Sequence, residues 1–271
     1  MTSSHFELID QHFAPAENLS AFAYTNALLN ELPAINTPML HFWTLEDTLI
    51  LGMKDVRLPH LDHDLVFLNE QHYHYFVRNS GGLAVISDAG VLNLSLFVPA
   101  ATPLSVDAAY QQMTTLVQQT FPNLAIVAEE VPHSYCPGKF DLAVDGVKIG
   151  GMSQRRNPNG IVVMLYLSVN GDQAARAKLV HQFYDYGLAG EPNQWHFPDV
   201  EAAAMTTLAD CLGTPMTLAT VKQMIVRTLS LMLNATAQVP NLHAPAFHDR
   251  LQHELAGMQK RQTKLPTTEV N

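Results

Sequence analysis

The chain of 271 residues holds two cysteines, Cys136 and Cys211, and a thiol is the most nucleophilic side chain available near neutral pH. Cys136 stands just before Pro137-Gly138, and Lys148 follows on the return strand of a hairpin marked by Asp145-Gly146. A thiol attacks as the thiolate, and a nearby ammonium favours that form, so Cys136 and Lys148 are a candidate pair for nucleophilic catalysis. A packing reading fits the same residues, with Cys136 a small buried side chain and Lys148 a solvated strand lysine. The loop position of Cys136 speaks for chemistry, whereas Cys211, ahead of Leu212-Gly213 at an expected helix end, suits packing. His133 is a further candidate base, although no third, orienting group is identifiable for it.

The second stretch with chemical content runs from Arg78 through Asn79-Ser80-Gly81-Gly82 to Leu92-Asn93. Adjacent glycines let backbone approach a ligand with no side chain in the way. Spacing alone also fits a plain hairpin with a second turn at residues 88–90. No phosphate loop is present, because no Gly-Lys-Ser/Thr follows and the next element is a strand. Histidines and acids at His60, Asp62, His63, Asp64, His72 and His74 lack the ligand spacing of a closed zinc site, so no metal is expected.

Elements that would position these residues can be read from the periodicity. Helices are expected over residues 18–32 (closed by Pro33), near 60–70, and over 105–120 with Ser105 as N-cap. Strands are expected over 39–44, 48–52, 73–78, 83–87, 92–98, 140–144, from 147 onward, and over 161–169. From residue 173 the pattern turns helical, over 173–186, 199–212, 218–234 and 246–260. Strands in runs followed by clustered helices make an α+β protein with a mainly antiparallel sheet and flanking helices. A single catalytic domain is expected over 1–262, with 263–271 a mobile tail.

Composition limits the partners. With 15 Lys+Arg against 25 Asp+Glu, the net charge of −10 argues against nucleic acid or an anionic membrane as the main partner. The start of the chain has no signal-peptide pattern, and the longest apolar run, 161–167, is far short of the about 20 residues a bilayer requires. A cytoplasmic protein with free thiols is expected.

Three motifs, in order, carry a resemblance. The stretch Arg78 to Asn93, the segment Leu51-Gly52-Met53-Lys54-Asp55 after the strand with Trp43, and Lys148-Ile149-Gly150-Gly151-Met152-Ser153-Gln154-Arg155-Arg156 resemble the signatures of the lipoate-protein ligase, octanoyltransferase and biotin protein ligase superfamily. Within it, the chain is most similar to the octanoyltransferases that draw on glycine cleavage protein H. It departs from the ligase pattern at Leu83 and Ser87, where ligases commonly carry Gly and His.

The resemblance implies the α+β fold shared with biotin protein ligases and class II aminoacyl-tRNA synthetases. It implies transfer of an octanoyl group from the carrier lysine of glycine cleavage protein H to lipoyl domains of 2-oxoacid dehydrogenases. Cys136 would be the acyl-thioester nucleophile, with Lys148 stabilising its thiolate and polarising the acyl carbonyl. Arg78, Ser80, Gly81, Gly82, Gly150 and Gly151 would bind substrate, and backbone N–H groups near Gly81, Gly82 or Gly150 would meet the oxyanion. No cofactor is needed, because exchanging one lysine amide for another is close to isoenergetic. The rival readings are an ATP-dependent lipoate-protein ligase and a non-catalytic lipoyl-domain-binding module. A patch including Arg78, Lys139, Arg155 and Arg156 would offset repulsion between acidic partners, unless the arginine pair is simply solvated.

Overall fold

The computed structural model describes residues 4–266. Its strands are β1 (His5–Phe13), β2 (Met39–Leu45), β3 (Thr48–Leu51), β4 (His74–Val77), β5 (Val85–Ser87), β6 (Val91–Pro99), β7 (Ile126–Ala128), β8 (Leu142–Val144), β9 (Val147–Asn157), β10 (Gly160–Ser168) and β11 (Thr236–Gln238). The helices are α1 (Ser20–Ile35), α2 (Leu61–Glu70), α3 (Val106–Thr120), α4 (Gln173–Leu188), α5 (Leu208–Leu212), α6 (Leu218–Leu233) and α7 (Pro245–Gln262).

One sheet of eight strands runs β11-β1-β2-β6-β10-β9-β8-β7, and a smaller one runs β4-β3-β5. From β2 to β7 every neighbouring pair is antiparallel, while β1 is parallel to both β2 and β11, and β3 to β4. The mainly antiparallel α+β fold is therefore present, with parallel pairing at one edge.

The central strands β6 and β10 are buried along their whole length, and alternation sends their residues into two cores. Leu92, Leu94, Leu96 and Val98 pack with α3 and α6, alongside Ile161, Val163, Leu165 and Leu167. The opposite face, with Val162, Met164 and Tyr166, packs against α1, α4 and the small sheet. Trp43, Asn93 and Ser95 share that second face, where Trp43 Nε1 donates to Ser95 Oγ (3.3 Å) and Asn93 Nδ2 to Ser87 Oγ (2.8 Å). The space between the large and small sheets is where a site can form.

Several elements differ from the sequence reading. Strand β1 lies among polar residues, and its buried positions Phe6, Ile9 and Phe13 do not alternate strictly, so it carries no period-2 signal. Helix α1 continues past Pro33 to Ile35, because a proline in the last turn forfeits a single backbone bond; Asn36 then ends it in the left-handed region. The helix expected over 199–212 is only α5 plus one short turn at Ala202–Ala204. Residues 205–206 are instead extended, because Met205 bridges to Lys148 and Thr206 N donates to the Lys148 carbonyl (2.9 Å). Ser105 caps α3 through Ala108 N (3.1 Å), as expected. Of the expected tail, residues 263–266 close α7 with a turn whose Leu265 packs on the core; the rest lies outside the described residues.

Candidate active site

A narrow cleft opens between the two sheets. Phe22, Trp43, Ile50, Val85, Met164 and Tyr166 give it apolar walls, and Arg78, Cys136 and Gly151 border it. Cys136 is half-buried and its thiol is free. Its sulfur accepts from the Leu83 backbone N–H (3.2 Å) and from the Arg78 guanidinium (3.6 Å).

The glycine turn is fixed by close approaches. Gly82 adopts φ +96°, and a Cβ there would lie 2.5 Å from Arg78 Nη2 and 3.1 Å from Cys136 Sγ. Arg78 Nη2 also donates to the carbonyls of Gly81 (2.9 Å) and Leu83 (3.0 Å), so one buried guanidinium both shapes the turn and faces the sulfur. Among the described residues Arg78 forms no ion pair, which leaves its charge directed at the site. Ser80 is half-buried, and among the described residues its Oγ has no hydrogen-bond partner.

Cys136 sits at φ +49°, a left-handed conformation that costs a side-chain-bearing residue about 1–2 kcal/mol. Lys148 holds it there. The ammonium, 1% exposed, donates to the carbonyls of Tyr135 (2.9 Å) and Cys136 (3.0 Å) and to Ser134 Oγ (3.2 Å), and pairs with Asp141 Oδ2 (3.0 Å). Burial pushes the Asp141 carboxyl above the usual carboxylate range, with the Lys148 charge opposing that shift. The structure thus places the Lys148 hydrogen bonds on the cysteine's backbone, with the charge beside the residue that carries the thiol.

A bulge aims the lysine. Ala143 lies opposite Lys148 but Leu142 lies opposite Gly150, so Ile149 is an extra residue in β9. Strict alternation would put Lys148 and Gly151 on opposite faces. Here a Cβ on Gly151 would lie 3.3 Å from Lys148 Cε and 2.7 Å from the Tyr166 ring, so both face the cleft side. Gly150 does not. It lies inside the sheet between β8 and β10, and its Cβ direction meets Tyr166 O and the Leu165 and Leu167 side chains. Its N–H is therefore no candidate oxyanion donor.

A family model, the lipoyl protein ligase A/B catalytic domain, matches residues 17–230. This chain belongs to that family. Within it, the chain is 43% identical over 203 residues to an octanoyl-[GcvH]:protein N-octanoyltransferase of an Exiguobacterium species, covering 73% of this chain and 72% of the relative. A protein of the same name from Macrococcus caseolyticus is 37% identical over 89% of both chains. A lipoyl-[GcvH]:protein N-lipoyltransferase of Listeria monocytogenes is 38% identical over 74% of this chain and 73% of its own. Among solved structures, a lipoate-protein ligase A bound with ATP superposes with TM-score 0.75 at 14% identity, over 98% of this chain and all of that one. The bi-partite lipoate protein ligase of Thermoplasma acidophilum gives 0.72 at 15% identity, over 99% and 100%. These two likenesses show the fold.

For this member of the family, the structure brings Arg78, Gly82, Cys136, Lys148 and Gly151 together, with Gly81 contributing its carbonyl to Arg78. The His133 ring is engaged elsewhere, 3.1 Å from Asp199 O and 3.4 Å from Glu201 Oε1. His133, Asp199 and Glu201 are the one group among the described residues close enough to share an ion, and all three are exposed. Arg155 donates to Asn26 and Asn79, while Arg156 donates to the carbonyls of Leu104 and Ser105, so the arginine pair is tied into the fold. Sequence reasoning missed Asp141, whose Oδ2 accepts from Gly138 N (3.0 Å), three residues earlier in the chain. Among the described residues no helix is long and apolar enough to cross a membrane.

Proposed function

We propose that this acyltransferase moves an octanoyl group from the carrier lysine of glycine cleavage protein H to lipoyl domains of 2-oxoacid dehydrogenase subunits, through a thioester on Cys136. The observation that carries this reading is a free thiol at the mouth of an apolar cleft, with two N–H donors on its sulfur. The Cys136 thiolate attacks the donor amide carbonyl, the C–N bond breaks, and the donor lysine leaves as a neutral amine after taking a proton. The acceptor's neutral lysine amine then attacks the thioester and releases a proton to solvent, replacing the one the donor amine took from solvent, while the C–S bond breaks and the thiolate returns. Each half-reaction places negative charge on an oxygen one bond from the carbon joined to sulfur, within the reach of Arg78 and the Leu83 N–H as preorganised donors. Lys148 serves by fixing Cys136, and its charge lies close enough to support the same oxyanion. Residues 1–262 act as one catalytic unit in this reading, supported by the contact of α4 with the glycine turn through Tyr184.

The test is intact mass spectrometry after mixing the protein with octanoylated protein H in the absence of nucleotide. An octanoyl adduct mapped to Cys136, discharged by an added lipoyl domain, is expected, and Cys136→Ala should give neither adduct nor transfer. Full transfer by Cys136→Ala would remove the thioester. Strict dependence on ATP would assign the ligase activity instead, and binding without transfer a carrier-holding module.

A further inference from the structure

The Leu83 N–H is a backbone donor, so its aim depends on the peptides around it. On its N-terminal side are Gly81 and Gly82, the least restrained residues a chain can offer. Direction must therefore be imposed from the C-terminal side and from behind. Ala84 N, the next donor along, is held by the hydroxyl of Tyr184 on α4 (3.1 Å). That hydroxyl donates in turn to Asp55 Oδ1 (3.0 Å), and Asp55 Oδ2 accepts from Gly52 N (2.7 Å). Gly52 presses on the turn itself, since a Cβ there would lie 2.1 Å from the Gly82 carbonyl oxygen. Three distant segments, the end of β3, the glycine turn and α4, thus close into one buried frame around the peptide that faces sulfur.

We propose that Asp55 and Tyr184 are positioning residues of the transfer reaction, holding residues 82–84 so that the Leu83 N–H points at the Cys136 sulfur. The inference rests on the reading of Cys136 as nucleophile. Neither residue borders the cleft, and both are buried, Asp55 completely. A frame built for stability alone needs only acceptors for Gly52 N and Ala84 N, which neutral side chains could supply without the hydration that a buried carboxyl loses. Burial indeed raises Asp55 to about 7, with the Gly52 and Tyr184 hydrogen bonds and the charges of Arg78 and Lys54 acting against the shift. Asp64 is the other acid that faces it. Around Cys136 the titratable or charged neighbours are Arg78, Tyr166 and Tyr184, with the Lys148–Asp141 pair on the cysteine's own carbonyl.

The experiment compares Tyr184→Phe and Asp55→Asn with wild type in the full chain. Tyr184→Phe keeps the ring, which stacks on Phe197 at 5.5 Å, and deletes only the hydroxyl. Asp55→Asn must turn an N–H toward one of its two donors. The readouts are the pH profile of iodoacetamide labelling at Cys136, resolved by peptide mapping, single-turnover thioester formation, and the unfolding temperature. Both variants should shift the labelling profile upward by about one pH unit, as for weakening one hydrogen bond to an anion. Thioester formation should slow about 10- to 100-fold, the effect of a small misplacement at a reacting centre. Folded variants that label and acylate like wild type, even with a lowered unfolding temperature, would overturn the proposal. Should Tyr184→Phe not fold, Asp55→Asn reads the same profile. Normal transfer by Cys136→Ala would bring down the nucleophile reading and this inference together, whereas an inactive Cys136→Ala beside normal Tyr184→Phe and Asp55→Asn would bring down this inference alone.

Discussion

At Cys136 the two cations divide the work. Arg78 meets the sulfur with no carboxylate of its own, whereas Lys148 is matched by Asp141 and grips the cysteine's backbone. Arg78→Met should therefore move the labelling profile of Cys136 to higher pH and slow acyl transfer about 10²- to 10³-fold, as for loss of one oxyanion donor. Lys148→Met should show its first effect in stability, because it strands a buried carboxyl; a loss of about 3–5 kcal/mol is expected in urea unfolding. Lys148→Met/Asp141→Asn should recover much of that loss, and a Lys148→Met protein as stable as wild type would contradict the pairing. Cys136, Lys148 and the glycine turn were legible because each lies in a local pattern of turn residues. Their partnerships were not: Arg78 and Cys136 are 58 residues apart, and Asp55 and Tyr184 are 129 apart.

Elements reach the site through glycines of unequal standing. Gly52→Ala would drive a methyl into the Gly82 carbonyl, and backbone cannot swing aside as a side chain can. It should lower the unfolding temperature and depress thioester formation together. Gly81→Ala meets nothing within 4 Å, so its unfolding free energy should stay within about 0.5 kcal/mol of wild type. Equal losses in the two variants would show that the turn, and not the close approach, sets the requirement. The glycine pair was visible in sequence, but which glycine is under steric pressure depends on β3, which reaches the turn from another part of the chain. For a similar reason the segment at 199–212 reads as helix: its apolar spacing is helical, and only the unforeseen bridge to Lys148 keeps residues 205–206 extended.

Across the whole molecule, two buried acids tie stability to pH. Burial raises Asp55 to about 7 and Asp64 to about 9, and the Asp64 oxygens have no hydrogen-bond partner among the described residues. Asp64 lies against Gly187 of α4, whose Cβ would fall 2.0 Å from its Oδ2. Each acid holds its proton longer in the folded state than in the unfolded chain, so folding binds protons. The resulting stability is complete below about pH 4 and declines as pH rises, lost for Asp55 near 7 and for Asp64 near 9. Asp64→Asn, compared with wild type in urea at pH 5 and at pH 9, should gain stability at the higher pH relative to the lower, by the order of a few kcal/mol. The comparison across pH cancels whatever the buried amide itself costs. A pH-independent difference would mean that the carboxyl does not titrate in that range. No sequence pattern marks Asp64 as buried, because it stands in a polar run with Asp62 and His63.

The extra residue in β9 gives that strand two reading frames. Up to Lys148 the side chains are in phase with Asp141 and the cysteine loop; from Gly150 they are in phase with β10, and Ile149 absorbs the difference. The diagnostic interval is consequently the odd one from Lys148 to Gly151, not the even one to Gly150 that an unbroken strand would dictate. Removing Ile149 would restore regular pairing and leave Lys148 on the cleft face, whereas flattening the bulge with Ile149 retained would turn the lysine into the Leu165–Leu167 core. An alignment that slides a one-residue gap across this position would exchange the walls of the cleft without changing a letter of the sequence.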